Sequence, residues 1–187
     1  MKGQENIKVI DNYLDKEAFK KIQSFLLSDN FPWFYNLSKV LYKDRLRPSP
    51  IKGYDSEDQH QFTHTFLGNE LNLSWSDWTR HIVPLLDKIR PRMWIRVKSN
   101  LTNIDSKARV SGWHYDKSGK EGPWTDTTTS IFYINTNNGY TLFENGKKVP
   151  SLENRLAIFP NHMMHTGISQ TNTKIRVTLN LNYLGGQ

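Results

Sequence analysis

From residue 92 to the C-terminus the chain reads as a succession of short strands divided by turns, and this pattern limits the fold more than any other. Residues 92–102 alternate, with Trp94, Arg96, Lys98 and Asn100 on one side and Met93, Ile95, Val97 and Leu101 roughly on the other, the two-residue period of an extended strand. Strand character recurs at 111–115, 127–135, 140–144, 155–159, 165–170 and 174–183. Asn137-Asn138-Gly139, Glu144-Asn145-Gly146 and Pro160-Asn161 supply turns between them. Many short strands in sequence predict an antiparallel sandwich or barrel. Upstream the period lengthens. Residues 14–30 predict a helix, with Asp15 as its N-cap and Phe19, Ile22, Phe25 and Leu26 at helical spacing. Residues 76–89 predict a second, capped by Ser76 and stopped by Pro91, with Pro84 shortening or kinking it. The expected architecture is mainly β: an antiparallel jelly roll over residues 92–187, supported by helices and N-terminal strands within 1–91, in a single domain.

Composition narrows the chemistry. With 187 residues, 36% hydrophobic and 23% charged, the chain is globular rather than disordered. It has no cysteine, so disulfides, iron–sulfur clusters and thiol catalysis are excluded and any metal must be held by His, Asp, Glu or backbone oxygens. No stretch approaches the ~20 apolar residues of a membrane span, and the N-terminus has no apolar run like that of a signal peptide; a cytoplasmic protein without a membrane partner is expected. The net charge of +7 could answer a polyanion. The basic residues are scattered, however, and no basic run marks a nucleic-acid tail, so nucleic acid is not the expected partner.

Six histidines remain to be sorted. His60, His64 and His81 have no evident partner and read as surface or core-packing residues. His114 stands two residues before Asp116, and residues i and i+2 of a strand point to the same side, so one strand can present an imidazole and a carboxylate to one ion. A third ligand must come from elsewhere: His165 opens a strand, and His162 competes with it. Two histidines and one carboxylate suit iron(II) with open positions, or zinc in a hydrolase. Arg176 bears on that choice. It shares a strand face with Thr178, Asn180 and Asn182, and a guanidinium on the inner side of a barrel needs an anion such as a carboxylate, to which a hydroxyl from Thr178 can add a hydrogen bond.

These residues resemble a known family. His114-Tyr-Asp116, Ser130 to Asn135, Gly139-Tyr-Thr141-Leu-Phe143, Phe159-Pro160, His165-Thr-Gly167 and Arg176-Val-Thr178 occur in the order and spacing of the iron(II)- and 2-oxoglutarate-dependent oxygenases, in particular the prolyl-4-hydroxylase-like branch and its small bacterial and phage members. The likeness covers about half of the chain, from Arg96 onward. It implies a double-stranded β-helix, the cupin-like form of jelly roll. It also implies that His114, Asp116 and His165 bind Fe(II), that Arg176 and Thr178 hold the distal carboxylate of 2-oxoglutarate, that Tyr133 offers the cosubstrate a hydroxyl, and that Asn100 lies near it. The implied reaction consumes O2, with ascorbate as a further cofactor in such systems. It hydroxylates a peptidyl (prolyl-like), protein or small-molecule substrate and releases succinate and CO2. Related halogenases have a small residue in place of the carboxylate; Asp116 argues for hydroxylation. A single Gly139 stands where many relatives have paired glycines. Two alternatives remain at this stage: a cupin-like metal-dependent non-redox enzyme, although cupins carry His-x-His where this chain has Asp116, and a non-enzymatic jelly-roll binding module. Substrate is expected to enter near residues 30–54, which include Phe31, Trp33, Phe34, Tyr35, Arg45 and Arg47, and near the Gly- and Pro-containing segment 117–127, a lid by its composition.

Overall fold

A computed structural model describes residues 7–39, 48–57, 59–68, 74–119 and 122–185. The elements in chain order are β1 (Lys8–Ile10), α1 (Lys16–Leu26), β2 (Phe34–Asn36), β3 (Gln61–Leu67), a 3-10 turn (Asp77–His81), α2 (Val83–Ile89), β4 (Met93–Asn103), β5 (Ser118–Gly119), β6 (Gly122–Pro123), β7 (Thr127–Tyr133), β8 (Tyr140–Phe143), β9 (Lys148–Pro150), β10 (Arg155–Pro160), β11 (His165–Ile168) and β12 (Ile175–Leu184).

Seven strands form one antiparallel sheet in the order β1-β10-β7-β12-β4-β3-β2, and three form a second, β11-β8-β9. Alternation along β4 and β12 gives the large sheet two unlike faces. Val97 and Leu101 of β4 and Val177, Leu179 and Leu181 of β12 join a core with Phe19, Ile22 and Leu26 of α1 and Leu85, Leu86 and Ile89 of α2. The opposite face meets the small sheet: Ile131 and Tyr133 of β7 and Ala157 and Phe159 of β10 pack with Phe143 and Val149. This is the predicted mainly-β jelly roll with helices on one side. No helix among the described residues is long and apolar enough to cross a membrane.

The elements follow from local chemistry. Asp15 caps α1 by accepting from the Ala18 amide at 2.9 Å, and the helix ends at Leu26, earlier than residue 30. The predicted second helix is divided. Ser76 caps only the 3-10 turn, and α2 begins afresh at Val83 with Pro84 in its first turn, where a missing N–H costs nothing. Arg90 then leaves the helix in the left-handed conformation, φ 43°. The predicted strand 111–115 is instead an irregular segment bridged to β11 only at Val110↔Ile168 and His114↔His165. In β4 the register with β12 slips between Asn182 and Tyr183, so that Asn182 faces Arg96 while Tyr183 faces Trp94. This bulge sends Trp94 to the helix-side core and leaves Arg96 on the inner face, separating two residues expected on one side.

Candidate metal centre

The inner face of the large sheet floors a cleft of about 400 Å³, within the range of small-molecule sites. Cross-strand register arranges its floor. Arg96 lies opposite Asn182, Lys98 opposite Asn180, and Asn100 opposite Thr178, with Arg176 beyond, opposite Thr102. His165 opens β11 in the facing sheet, and its bridge to His114 brings that imidazole alongside it.

His114, Asp116 and His165 converge, each offering a ligand atom within 4.8 Å of the others. His162, the competing histidine, is not in that group. The donor set fits a metal. His114 Nδ1 lies 2.8 Å from the Gly112 carbonyl and His165 Nδ1 3.2 Å from the Met163 carbonyl. A carbonyl only accepts, so each Nδ1 carries the proton and each Nε2 keeps a free lone pair, the tautomer of a metal-bound histidine. Burial and then His114 pull His165 down to about 4, against the opposing pull of Asp116; His165 is therefore neutral at ordinary pH. Burial pushes the Asp116 carboxyl up, but Arg96, the two histidines and Lys98 outweigh it and hold the group below the usual carboxylate range. Arg96 Nη2 donates to Asp116 Oδ1 at 2.9 Å and Asn182 Nδ2 to Oδ2 at 3.3 Å.

At the far end of the floor, Arg176 Nε donates to Ser151 Oγ at 2.8 Å. Its guanidinium carbon lies 5.8 Å from the Tyr133 ring centroid. Burial opposes its charge, yet no carboxylate among the described residues pairs with it, and it lines the cleft. Thr178 and Asn100 line the cleft too; Asn100 Nδ2 donates to Asn180 Oδ1 at 3.1 Å. Tyr133 sits one layer behind, fully buried, its hydroxyl 2.8 Å from Thr141 Oγ1, and Thr141 is the residue of that pair that lines the cleft.

Of the other histidines, His64 and His81 pack and His60 is exposed. His64 is bonded on both ring nitrogens, to the Pro32 carbonyl and Ser76 Oγ, each at 3.0 Å, and His81 stacks on Phe25. Of the proposed entry residues, Phe31 is core, Phe34 and Tyr35 are exposed, and Arg45 and Arg47 lie outside the described residues. Sequence reasoning missed Arg96, Asn182, Ser151, Lys39 and Lys98 as site residues. For Arg96 and Lys98 a signal existed, cations on the polar face of an alternating strand; Lys39 had none.

No protein-family model matches the sequence, and no curated protein does. Solved structures do match in three dimensions. An oxidoreductase of the 2OG-Fe(II) oxygenase family from Burkholderia pseudomallei superposes with a TM-score of 0.65 at 11% identity, over 96% of this chain and 86% of that one. The chain has the fold of the 2-oxoglutarate–iron(II) oxygenases. A Trichoplax adhaerens prolyl hydroxylase, solved with a hypoxia-inducible-factor peptide fragment, gives 0.59 at 12% identity, covering 97% of this chain and 84% of that one. A collagen prolyl hydroxylase from Paramecium bursaria Chlorella virus-1, solved with 2-oxoglutarate, gives 0.55 at 13% identity and 97% of both chains. At such identities the likeness is one of oxygenase fold.

Proposed function

We propose that this protein is an Fe(II)- and 2-oxoglutarate-dependent dioxygenase that hydroxylates an organic substrate, peptidyl or free, with release of succinate and CO2. The observation that carries the reading is Arg176, a cleft-lining guanidinium with no carboxylate partner among the described residues, in the same cleft as a His-Asp-His cluster. A metal cluster alone fits zinc hydrolysis as well as iron chemistry; a second buried cation waiting for a carboxylate does not follow from hydrolysis.

His114, Asp116 and His165 would hold the iron, which when bound supplies the activation of O2 that drives decarboxylation of 2-oxoglutarate. The Gly112 and Met163 carbonyls fix both imidazoles in the ligating tautomer. Arg96 and Asn182 keep Asp116 ionised and orient it. Arg176, held by Ser151 and backed by the Tyr133 ring, binds the distal carboxylate of the cosubstrate, with Thr178 adding a hydroxyl. Tyr133 acts through Thr141 rather than by its own contact.

The test is spectroscopic. Under argon, Fe(II) and 2-oxoglutarate together should give the weak visible charge-transfer band of the chelate. Folded protein without the band refutes the proposal. Arg176→Ala should weaken 2-oxoglutarate binding roughly 10- to 100-fold, the loss of a charge-assisted hydrogen bond of about 1.5–3 kcal/mol, while iron binding stays within twofold. His165→Ala should abolish tight iron binding and His162→Ala should not.

A further inference from the structure

The lining of the cleft is unbalanced in charge. Lys39, Arg96, Lys98, Lys117 and Arg176 line it, against Asp116 as the one carboxylate among the described lining residues. Two of these cations have assigned work. Arg96 is answered by Asp116 at 2.9 Å, and Arg176 would be answered by the distal carboxylate of 2-oxoglutarate. Lys39 donates to Gln59 Oε1. Lys98 is different. It stands on the inner face of β4, between Arg96 on one side and Asn100 on the other, opposite Asn180 of β12 and Thr65 of β3. Its amine has no hydrogen bond or ion pair to any described residue, although the side chain is half-buried in the cleft lining and feels the fields of Arg96, Asp116 and Lys117. An amine partly withdrawn from water in a cleft gains from an anionic partner there. In the empty protein the Lys98 amine contributes only its field on Asp116, a carboxylate that Arg96 already contacts at 2.9 Å.

We propose that Lys98 binds an anionic group, a carboxylate or a phosphate, on the primary substrate, and so directs this enzyme to acidic substrates. The inference rests on the oxygenase reading above and adds the substrate class. Its geometry is that of the strand. Lys98 is two residues from Arg96, roughly 7 Å along β4, and Arg96 touches the iron-ligating carboxylate. Lys98 and the three metal ligands line the same cleft, so a molecule anchored on the amine can present a neighbouring carbon to the metal centre. Asn100 and Asn180, already bonded to each other, form a neutral polar floor beside the amine that can donate to the anion's remaining oxygens. A bound cosubstrate would not remove the imbalance, since its two carboxylates would be taken by Arg176 and the metal.

The test uses the anaerobic Fe(II)·2-oxoglutarate complex of the full chain. Its charge-transfer band first establishes the oxygenase reading; absence of the band refutes that reading and is a separate result. Phenyl phosphate, phenylacetate and neutral phenylacetamide are then titrated against the band. The expected result is binding of one or both anions at least tenfold tighter than the amide, phosphate against carboxylate affinity telling the two sources apart. Lys98→Met should abolish this preference while 2-oxoglutarate affinity stays within twofold, and Lys98→Arg should retain it. Lys98→Gln serves as a second neutral variant should the methionine disturb folding. Equal affinity for anion and amide, or no anion binding, overturns the proposal. So does a tenfold loss of 2-oxoglutarate affinity in Lys98→Met, which would assign the amine to the cosubstrate instead.

Discussion

Gly139 illustrates how closely the residues around the cosubstrate end are fitted. A Cβ added there would lie 2.9 Å from Arg176 Cδ, from Asn137 Oδ1 and from the Ile168 carbonyl oxygen, closer than packed atoms tolerate. The side chain most able to yield is Arg176. Gly139→Ala should therefore weaken 2-oxoglutarate binding about tenfold by displacing the guanidinium, and should also destabilise the fold by about 1–3 kcal/mol, because the Ile168 carbonyl is backbone and cannot yield. Gly167→Ala meets nothing nearer than Ser111 Oγ at 3.7 Å and Arg176 Nη1 at 3.8 Å and should bind the cosubstrate normally. Isothermal titration of both variants decides it; equal affinities would show that Arg176 accommodates the methyl group. The lone glycine that departs from the paired glycines of relatives thus has a packing role. A second prediction concerns pH. Burial, then Arg176, pulls Lys39 down to about 7. A carboxylate arriving at Arg176 raises the pKa of a neighbouring amine, so binding is linked to proton uptake. Affinity for 2-oxoglutarate should be highest where Lys39 is already protonated, below about 7, and fall several-fold between about pH 7 and 9. Lys39→Met should flatten that slope; an unchanged slope would mean that Lys39 does not sense the cosubstrate.

Among the connecting elements, the β5–β6 hairpin that follows Asp116 is fastened at its base by one side chain. Asn161, fully buried, accepts from the Lys117 amide at 2.9 Å and donates to the Lys117 and Trp124 carbonyls at 2.7 and 3.0 Å. Asn161→Ala removes three hydrogen bonds at once and leaves the Lys117 carbonyl with the Trp124 amide and the Trp124 carbonyl with the Thr127 hydroxyl. It should destabilise the protein by about 2–4 kcal/mol and speed proteolysis between Lys117 and Trp124, with unchanged cleavage refuting the fastening. The same pattern explains what could be read from sequence. β4 and β12 announced themselves by alternation, because one face meets the helix-side core and the other floors the cleft, and β7 by its β-branched and aromatic composition, although both of its faces meet a core. β3 did not: its burial is nearly continuous, with Thr63 and His64 inside along with Phe66 and Leu67, so no period appears. The three-residue strands β1, β2 and β9 are too short to show one. In the site, His114 and Asp116 were legible because their relation is local. Arg96 and Asn182 were not, because they become partners of Asp116 only through a register between strands more than eighty residues apart in sequence. Ser151 met Arg176 by the same kind of long-range pairing.

Over the whole molecule, the groups proposed to hold metal and cosubstrate belong to both sheets. His165 comes from the three-stranded sheet, His114 from the segment bridged to it, and Arg176 and the Arg96–Asn182 support of Asp116 from the seven-stranded sheet. Without an ion, two imidazoles and a buried carboxylate converge, the carboxylate held by Arg96 and Asn182 and the imidazoles by the Gly112 and Met163 carbonyls. A ligand that binds this arrangement and not the unfolded chain stabilises the fold by mass action, about 2.7 kcal/mol at a hundredfold excess over Kd. For a chain of this length that corresponds to a rise in Tm of roughly 5–10 °C. Calorimetry should show this rise with Mn(II), as a redox-silent substitute for Fe(II), and a further rise of similar size when 2-oxoglutarate is added. A chelator should reverse both. The order of addition separates the readings: 2-oxoglutarate without metal should stabilise weakly, through Arg176 alone, whereas the pair should exceed the sum of the two, because the cosubstrate spans metal and guanidinium. His165→Ala should lose the metal increment and most of the cosubstrate increment together, while Arg176→Ala should keep the first and lose the second. A protein stabilised by zinc, with no further response to 2-oxoglutarate in any order, would instead fit the cupin-like hydrolytic alternative.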